Sequence, residues 1–232
     1  MRFTYRKAQF FWLKSLLIYG AYAVKRTLRR GVKWMDNGQL EVVGAAIAAI
    51  GTITAAVGST PFWWLSEQAK YNLNLWGNLL QGTGNALEAD GQEGVSLEKI
   101  GNEIQAVGNS TIVAGLLLLE EGETQTRLTI AGNLMQALGG AAALGDELKD
   151  DSNIGEVYSI VGNIMQIIGN SMQALGDGYD LRAEKLEEAA EIGDSSCEDN
   201  DKGEVLNVFG SWIQAGGSVL SFIGQVIEEE EE

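Results

Sequence analysis

Glycine returns every seven residues, at six places, along a chain whose surroundings otherwise read as helix. The units are Gly44-AAIAAI-Gly51-TITAAV-Gly58, Gly77-NLLQGT-Gly84, Gly101-NEIQAV-Gly108, Gly132-NLMQAL-Gly139, Gly162-NIMQII-Gly169-NSMQAL-Gly176 and Gly210-SWIQAG-Gly217. A repeat of seven carrying apolar residues three and four apart is a helical period, and the period of two that a strand needs is absent. One helical unit copied about six times accounts for the pattern, and it constrains architecture far more than activity.

With the first glycine of each unit as zero, position −4 holds Leu40, Leu73, Leu97, Leu128, Tyr158 and Leu206. Position −1 holds Val43, Trp76, Ile100, Ala131, Val161 and Phe209, and position +3 holds Ile47, Leu80, Ile104, Met135, Met165 and Ile213. Position +2 is also mostly apolar, with Glu103 the exception. This predicts a broad apolar face buried in a core. Glycine falls beside that stripe, with Gln81, Gln105, Gln136, Gln166 and Gln214 next to it and Ala48 in the corresponding place of the first unit. Asn78, Asn85, Asn102, Asn109, Asn133, Asn163 and Asn170 each follow a glycine, at a wheel position further toward solvent. An interior Gly costs a helix about 0.8–1 kcal/mol relative to Ala, so something must offset so many. Close approach of a neighbouring backbone, with glutamine amides bonding across the gap, is the expected compensation. The expected packing or interaction face is therefore Gly77, Gly84, Gly101, Gly108, Gly132, Gly139, Gly162 and Gly169 together with the five glutamines.

Acids gather between the copies, as in EADGQEG, EEGETQT, GDELKDD and GDSSCEDNDKGE, the last read as a solvated linker. Ser96, Thr124, Asn153 and Asp201 are candidate helix N-caps, and Pro61 separates the first helix from the second. The first glycines are unevenly spaced, at 44, 77, 101, 132, 162 and 210, which favours a globular bundle over a regular solenoid. The expected fold is all-α: a compact bundle of about six repeated helices with glycine heptads, preceded by a basic N-terminal helix. Three parts are expected, a basic amphipathic segment at 1–34, a helical repeat domain at 35–227 and an acidic tail at 228–232.

Charge is divided sharply. Residues 1–35 carry nine Lys or Arg and no acid, leaving seven basic and all 32 acidic residues to the rest, a net of −25. Such a body repels phosphates and anionic lipid, so no nucleic-acid partner is expected for it. The head has three readings: an interfacial helix or marginal anchor on a membrane surface, a stretch upstream of a start at Met35, or a segment docked on the acidic body. A secretory signal peptide does not fit, because no small-residue cleavage site follows the apolar run. The single Cys, Cys197, forms no intrachain disulfide, and the absence of His removes the commonest general base and metal ligand.

Chemistry-bearing motifs are few. Gly82-Thr-Gly84 and Gly176-Asp-Gly178 belong to the repeat rather than to a phosphate loop. Asp199-Asn-Asp201-Lys-Gly203 has its glycine one position early for a calcium loop and lacks the closing Glu. Asn109-Ser-Thr111 matches a glycosylation sequon but lies inside an expected helix. No catalytic residue, cofactor, metal or small-molecule substrate is implied, and Asp and Glu alone would have to supply any acid–base chemistry. Val42–Gly58 is free of charge, and Gly44, Ala48, Gly51, Ala55 and Gly58 suit close helix approach in a membrane. It is short for a span, however, and its sister copies carry Asn and Gln, so a buried bundle helix is expected there and in Ile112–Leu119.

The Gly-Asn-x-φ-Gln-Ala-φ-Gly-Asn units (φ apolar), opened by MDNGQLEVVG, resemble an uncharacterised family of Gly-Asn/Gln repetitive proteins from spore-forming Gram-positive bacteria. The likeness covers about residues 35–190, with a looser copy at 204–227. Its members form a domain of unknown function, so the resemblance implies no catalytic residue. The expected function is a non-enzymatic structural or protein-interaction role in the cytoplasm, with self-association through the Gly/Gln faces. The alternative is a membrane-associated protein that binds lipid through the basic head and inserts its Gly/Ala-rich first repeat.

Overall fold

The structure, a computed structural model, describes residues 35–148, 153–188 and 194–231, with backbone alone at 187–188 and 194–200. The chain divides into two units, and the second, residues 37–232, is compact. The readings made for the basic head at 1–34 lie outside the described residues, as does the side chain of Cys197.

Among the described residues every regular element of the second unit is a helix. Its elements are α1 (Asn37–Ser59), α2 (Glu67–Gly91), α3 (Leu97–Leu118), α4 (Glu123–Glu147), α5 (Ile154–Glu188) and α6 (Asp194–Glu231). Local signals fix most boundaries. The Ser66 hydroxyl accepts from Ala69 N at 3.3 Å and the Ser96 hydroxyl from Lys99 N at 2.9 Å, filling orphan donors of the first turns of α2 and α3. Asn153 Oδ1 does the same for Glu156 N at 2.8 Å. Thr124 is not a cap: α4 starts after Gly122, whose φ of +139° suits glycine. Asp201 is not one either, and the expected linker is absent. The helix α6 begins at Asp194, because acids at a helix N-terminus are favoured by its dipole and need not unwind it. The expected acidic tail is likewise helical as far as Glu231.

Each helix packs on the next, and α6 returns to pack on α1, so the six close a compact ring-like bundle. The contacts α1–α2, α3–α4 and α5–α6 are the closest, which divides the ring into three hairpins. Glycine makes that proximity possible. A Cβ on Gly84 would lie 2.5 Å from the carbonyl oxygen of Gly44, and one on Gly44 2.8 Å from that of Gly84. Gly51 and Gly77 stand in the same relation at 2.7 and 2.8 Å, and Gly108 and Gly132 at 2.7 Å both ways. Gly101 faces Gly139, Gly162 faces Gly217 and Gly169 faces Gly210. These six reciprocal pairs form two levels along the ring, one pair per hairpin at each level, and the longer α5–α6 hairpin adds Gly155 with Gly224 and Gly176 with Gly203 beyond them.

The side chains are distributed the opposite way from the expected buried apolar face. Among the described residues, the buried apolar ones are nearly all alanine, with only Leu40, Leu87 and Ile112 larger. Trp76, Ile100, Val161 and Phe209 at position −1 are exposed, as are Leu79, Leu134, Ile164 and Trp212 at position +2. The asparagines expected toward solvent are buried, Asn109 and Asn170 completely. The reason is the glycine: with its side of each helix pressed into the hairpin, the flanking Asn and Gln turn into the ring and the bulky apolar residues turn out. The expected core helices follow suit. Ile112 and Gly115 are buried but Leu117 is exposed, and α1 presents Ile50 and Ile53 outward.

Candidate functional site

The interior of the ring holds two polar cavities, each lined by residues from all six helices. The upper one, about 610 Å³, takes Asn78 and Gln81 from α2, Asn133 and Gln136 from α4, Gln173 and Asp177 from α5, and Asn207 and Gln214 from α6. The lower one, about 30 Å³, takes Glu88 from α2, Glu98 and Asn102 from α3, Glu147 from α4, Ser159 and Asn163 from α5, and Ser221 from α6. Two layers of amides lie between them.

The first layer comes from the even-numbered helices. Gln214 Nε2 donates to Gln81 Oε1 at 2.9 Å and to Gln136 Oε1 at 3.1 Å, so one amide ties three helices together. Its own Oε1 accepts from Gln173 Nε2 at 2.8 Å. The three clustered glutamines are buried, as a satisfied polar network must be to exclude competing water. The second layer, from the odd-numbered helices, holds Gln105 and Gln166, with Gln166 Nε2 donating to Ser221 Oγ at 3.0 Å. Ala48 stands in the third place and lines the lower cavity. The five predicted glutamines therefore fall in two groups, and all eight predicted glycines lie in the hairpin contacts, not on a free face.

Carboxylates surround both mouths. Asp177 accepts from Asn133 Nδ2 at 3.1 Å and Asp180 from Asn207 Nδ2 at 3.2 Å. At the lower end Glu147 accepts from Asn163 Nδ2 at 2.6 Å. Burial, reinforced by mutual repulsion, pushes Glu88 and Glu147 up to about 8 and Glu98 and Glu228 up to about 7. All four stand in the first or last turn of their helices.

The outside is apolar on every helix. Ile50, Trp76, Leu138 and Phe209 are 57–61% exposed, and Val107 and Ile168 extend the same surface to α3 and α5. The sequence carries a signal for this: each helix contains a run without Asp, Glu, Lys or Arg. The runs cover 42–59, 71–87, 104–119, 128–145, 157–176 and 205–227, and the raised carboxylates all lie beyond them. Among the described residues only α1 is long and apolar enough to count as a candidate span. The other helices are diluted by the amides they send inward. Asn78, Asn133, Asn163 and Gln173, absent from the predicted face, line the cavities for the same reason.

Fold and site together define a closed helical ring, apolar outside and polar within. The chain belongs to the Family of unknown function (DUF6944), whose family model matches residues 39–222. No curated protein and no solved structure matches it.

Proposed function

We propose that the protein is an integral membrane protein whose six-helix ring crosses the bilayer with its amide-lined interior shielded from lipid. The observation that carries this reading is the inverted polarity of the ring, with bulky apolar side chains outward on every helix and Asn, Gln and Glu inward on five of them, α1 facing the interior with Ala45, Ala48 and Ala55. Water would reverse that distribution, whereas lipid favours it, and intramembrane polar groups face a bundle interior. The charge-free runs of 16 to 23 residues approach the roughly 20 that span a hydrocarbon core. Small residues at the helix contacts allow the close approach on which membrane helices rely. The strong net negative charge does not oppose insertion, because the acids stand at helix ends, in connections and around the cavity mouths rather than on the waist.

This extends the membrane alternative beyond the first repeat to all six helices. A structural role by self-association draws support from the same outer surface, since large exposed apolar areas also mark protein interfaces. The Gly/Gln faces expected to mediate it are occupied within the chain. A second copy would also cover one sector of the ring, while a bilayer covers the whole circumference.

The test is to reconstitute the full chain in vesicles containing brominated lipid. Membrane insertion predicts resistance to alkaline carbonate and tryptophan quenching that weakens in Trp76→Phe and Trp212→Phe. Release by carbonate as a water-soluble oligomer would sink the membrane reading in favour of self-association.

A further inference from the structure

We propose that the interior of the ring is a passage for small monovalent cations, closed in this structure at the Gln81–Gln136–Gln214 cluster. This rests on the membrane reading above. Both cavities are lined by all six helices, so they lie along the ring's interior rather than between one pair of elements. The carboxylates Asp177, Asp180 and Glu204 line the upper cavity, whose one basic lining residue, Lys70, is paired with Glu67 at 2.8 Å. Glu88, Glu98 and Glu147 line the lower cavity, and no Lys or Arg is among its lining residues.

Unmet polar atoms supply a separate indication of an occupant. Glu147 Oε2, a buried oxygen lining the lower cavity, has no hydrogen-bond partner. The hydroxyl of Ser159, 4% exposed in the same lining, has the Glu228 carboxyl alone within reach. Oxygen atoms left without donors in a cavity edged by acids suit water and cations, and repel anions once those carboxyls, raised to about 7 to 8, are ionised. Amide oxygens can replace part of a monovalent ion's hydration shell. A divalent ion such as Mg²⁺ gives up its water too reluctantly for neutral amides to do so.

The closure has an identifiable element. Gln214 holds the oxygens of both Gln81 and Gln136 through one NH₂ group and is itself held by Gln173. Rotation of that single side chain would free both carbonyl oxygens and open the first amide layer onto the second, where the small Ala48 stands in the third place. Removing the amide should therefore raise conduction while leaving the acidic mouths, and hence the exclusion of anions, in place.

The experiment uses the full chain in neutral-lipid vesicles at about pH 9, where the cavity carboxyls are ionised, following efflux of a rubidium tracer and, separately, chloride entry with a quenchable dye. Insertion is scored in the same vesicles by resistance to carbonate. Gln214→Ala should speed rubidium efflux over the unsubstituted protein by at least about tenfold, the order expected from two lost hydrogen bonds, with chloride entry unchanged. The triple substitution Glu88→Gln, Glu98→Gln and Glu147→Gln should reduce rubidium efflux in the Gln214→Ala background. Gln173→Ala, which loosens Gln214 without removing it, serves if Gln214→Ala loses its helical circular dichroism. Carbonate-resistant protein that passes no more rubidium than empty vesicles, in both the open variant and the parent, overturns the passage but leaves the membrane reading intact. Chloride entry as fast as rubidium efflux overturns cation selectivity. Protein released by carbonate overturns the membrane reading and the passage with it.

Discussion

A glycine in this chain is read by what a methyl group would strike. At Gly162 a Cβ would lie 2.7 Å from the Gly217 carbonyl oxygen and 2.8 Å from Ser221 N, both backbone atoms that cannot rotate away. At Gly178, also within α5, a Cβ would meet nothing within 4 Å. Opposite outcomes are therefore expected from one substitution. Gly178→Ala should stabilise by up to about 1 kcal/mol through helix propensity. Gly162→Ala should destabilise by about 1–3 kcal/mol despite the same gain, because the hairpin must part to admit the methyl group, and Gly162→Leu should be worse. Thermal melts followed by circular dichroism read both. Equal shifts of the same sign at the two positions would mean that close packing does not decide the matter.

At the scale of the helix, each element has one side committed to its hairpin and another to a neighbouring hairpin. The second kind of contact depends on scattered bonds rather than on glycine pairs. Tyr71 of α2 donates its hydroxyl proton to the Leu116 carbonyl of α3 at 2.5 Å, joining the first hairpin to the second. Tyr71→Phe should lower stability by about 1 kcal/mol, since it strands a carbonyl in the last turn of α3. An unchanged melting temperature in the same assay would argue against that contact. Helix number, the repeat and the glycine register were all legible in the sequence, because they depend on local periodicity. Facing direction was not. The wheel sets the apolar stripe against the amide stripe but carries no label for inside, and the ordinary rule for water assigned Trp76 and Phe209 to a core they do not enter. The charge-free runs held that missing information. The gathering of Gln81, Gln136 and Gln214 into one cluster depends on ring closure, and no single repeat encodes it.

For the molecule as a whole, the lower end is a set of carboxylates that folding crowds together. Glu88, Glu98, Glu147 and Glu228 converge there from four helices, with Glu156 of α5 and Glu41 of α1 adding negative charge. Their folded pKa values of about 7 to 8 stand above the ordinary 4.5, so the folded state binds more protons than the unfolded chain between those limits. Stability from these groups is complete below about pH 4.5 and is lost as pH rises through 7 to 8. The melting temperature should fall by more than about 5 °C from pH 5 to pH 8. Replacing the four with Gln should flatten that dependence, and an unchanged slope would show that the crowding is relieved some other way. Closure of the ring has another consequence. Since α6 meets α1 and every glycine pair is satisfied within a hairpin of adjacent helices, the order of the three hairpins along the chain has no privileged beginning. A gene cut in the connection at 92–96 should yield two polypeptides, one hairpin and two, whose complementary edges rebuild the same circle. The molecule behaves as three modules held in a cycle, with the connecting segments serving as tethers and not as structural keys.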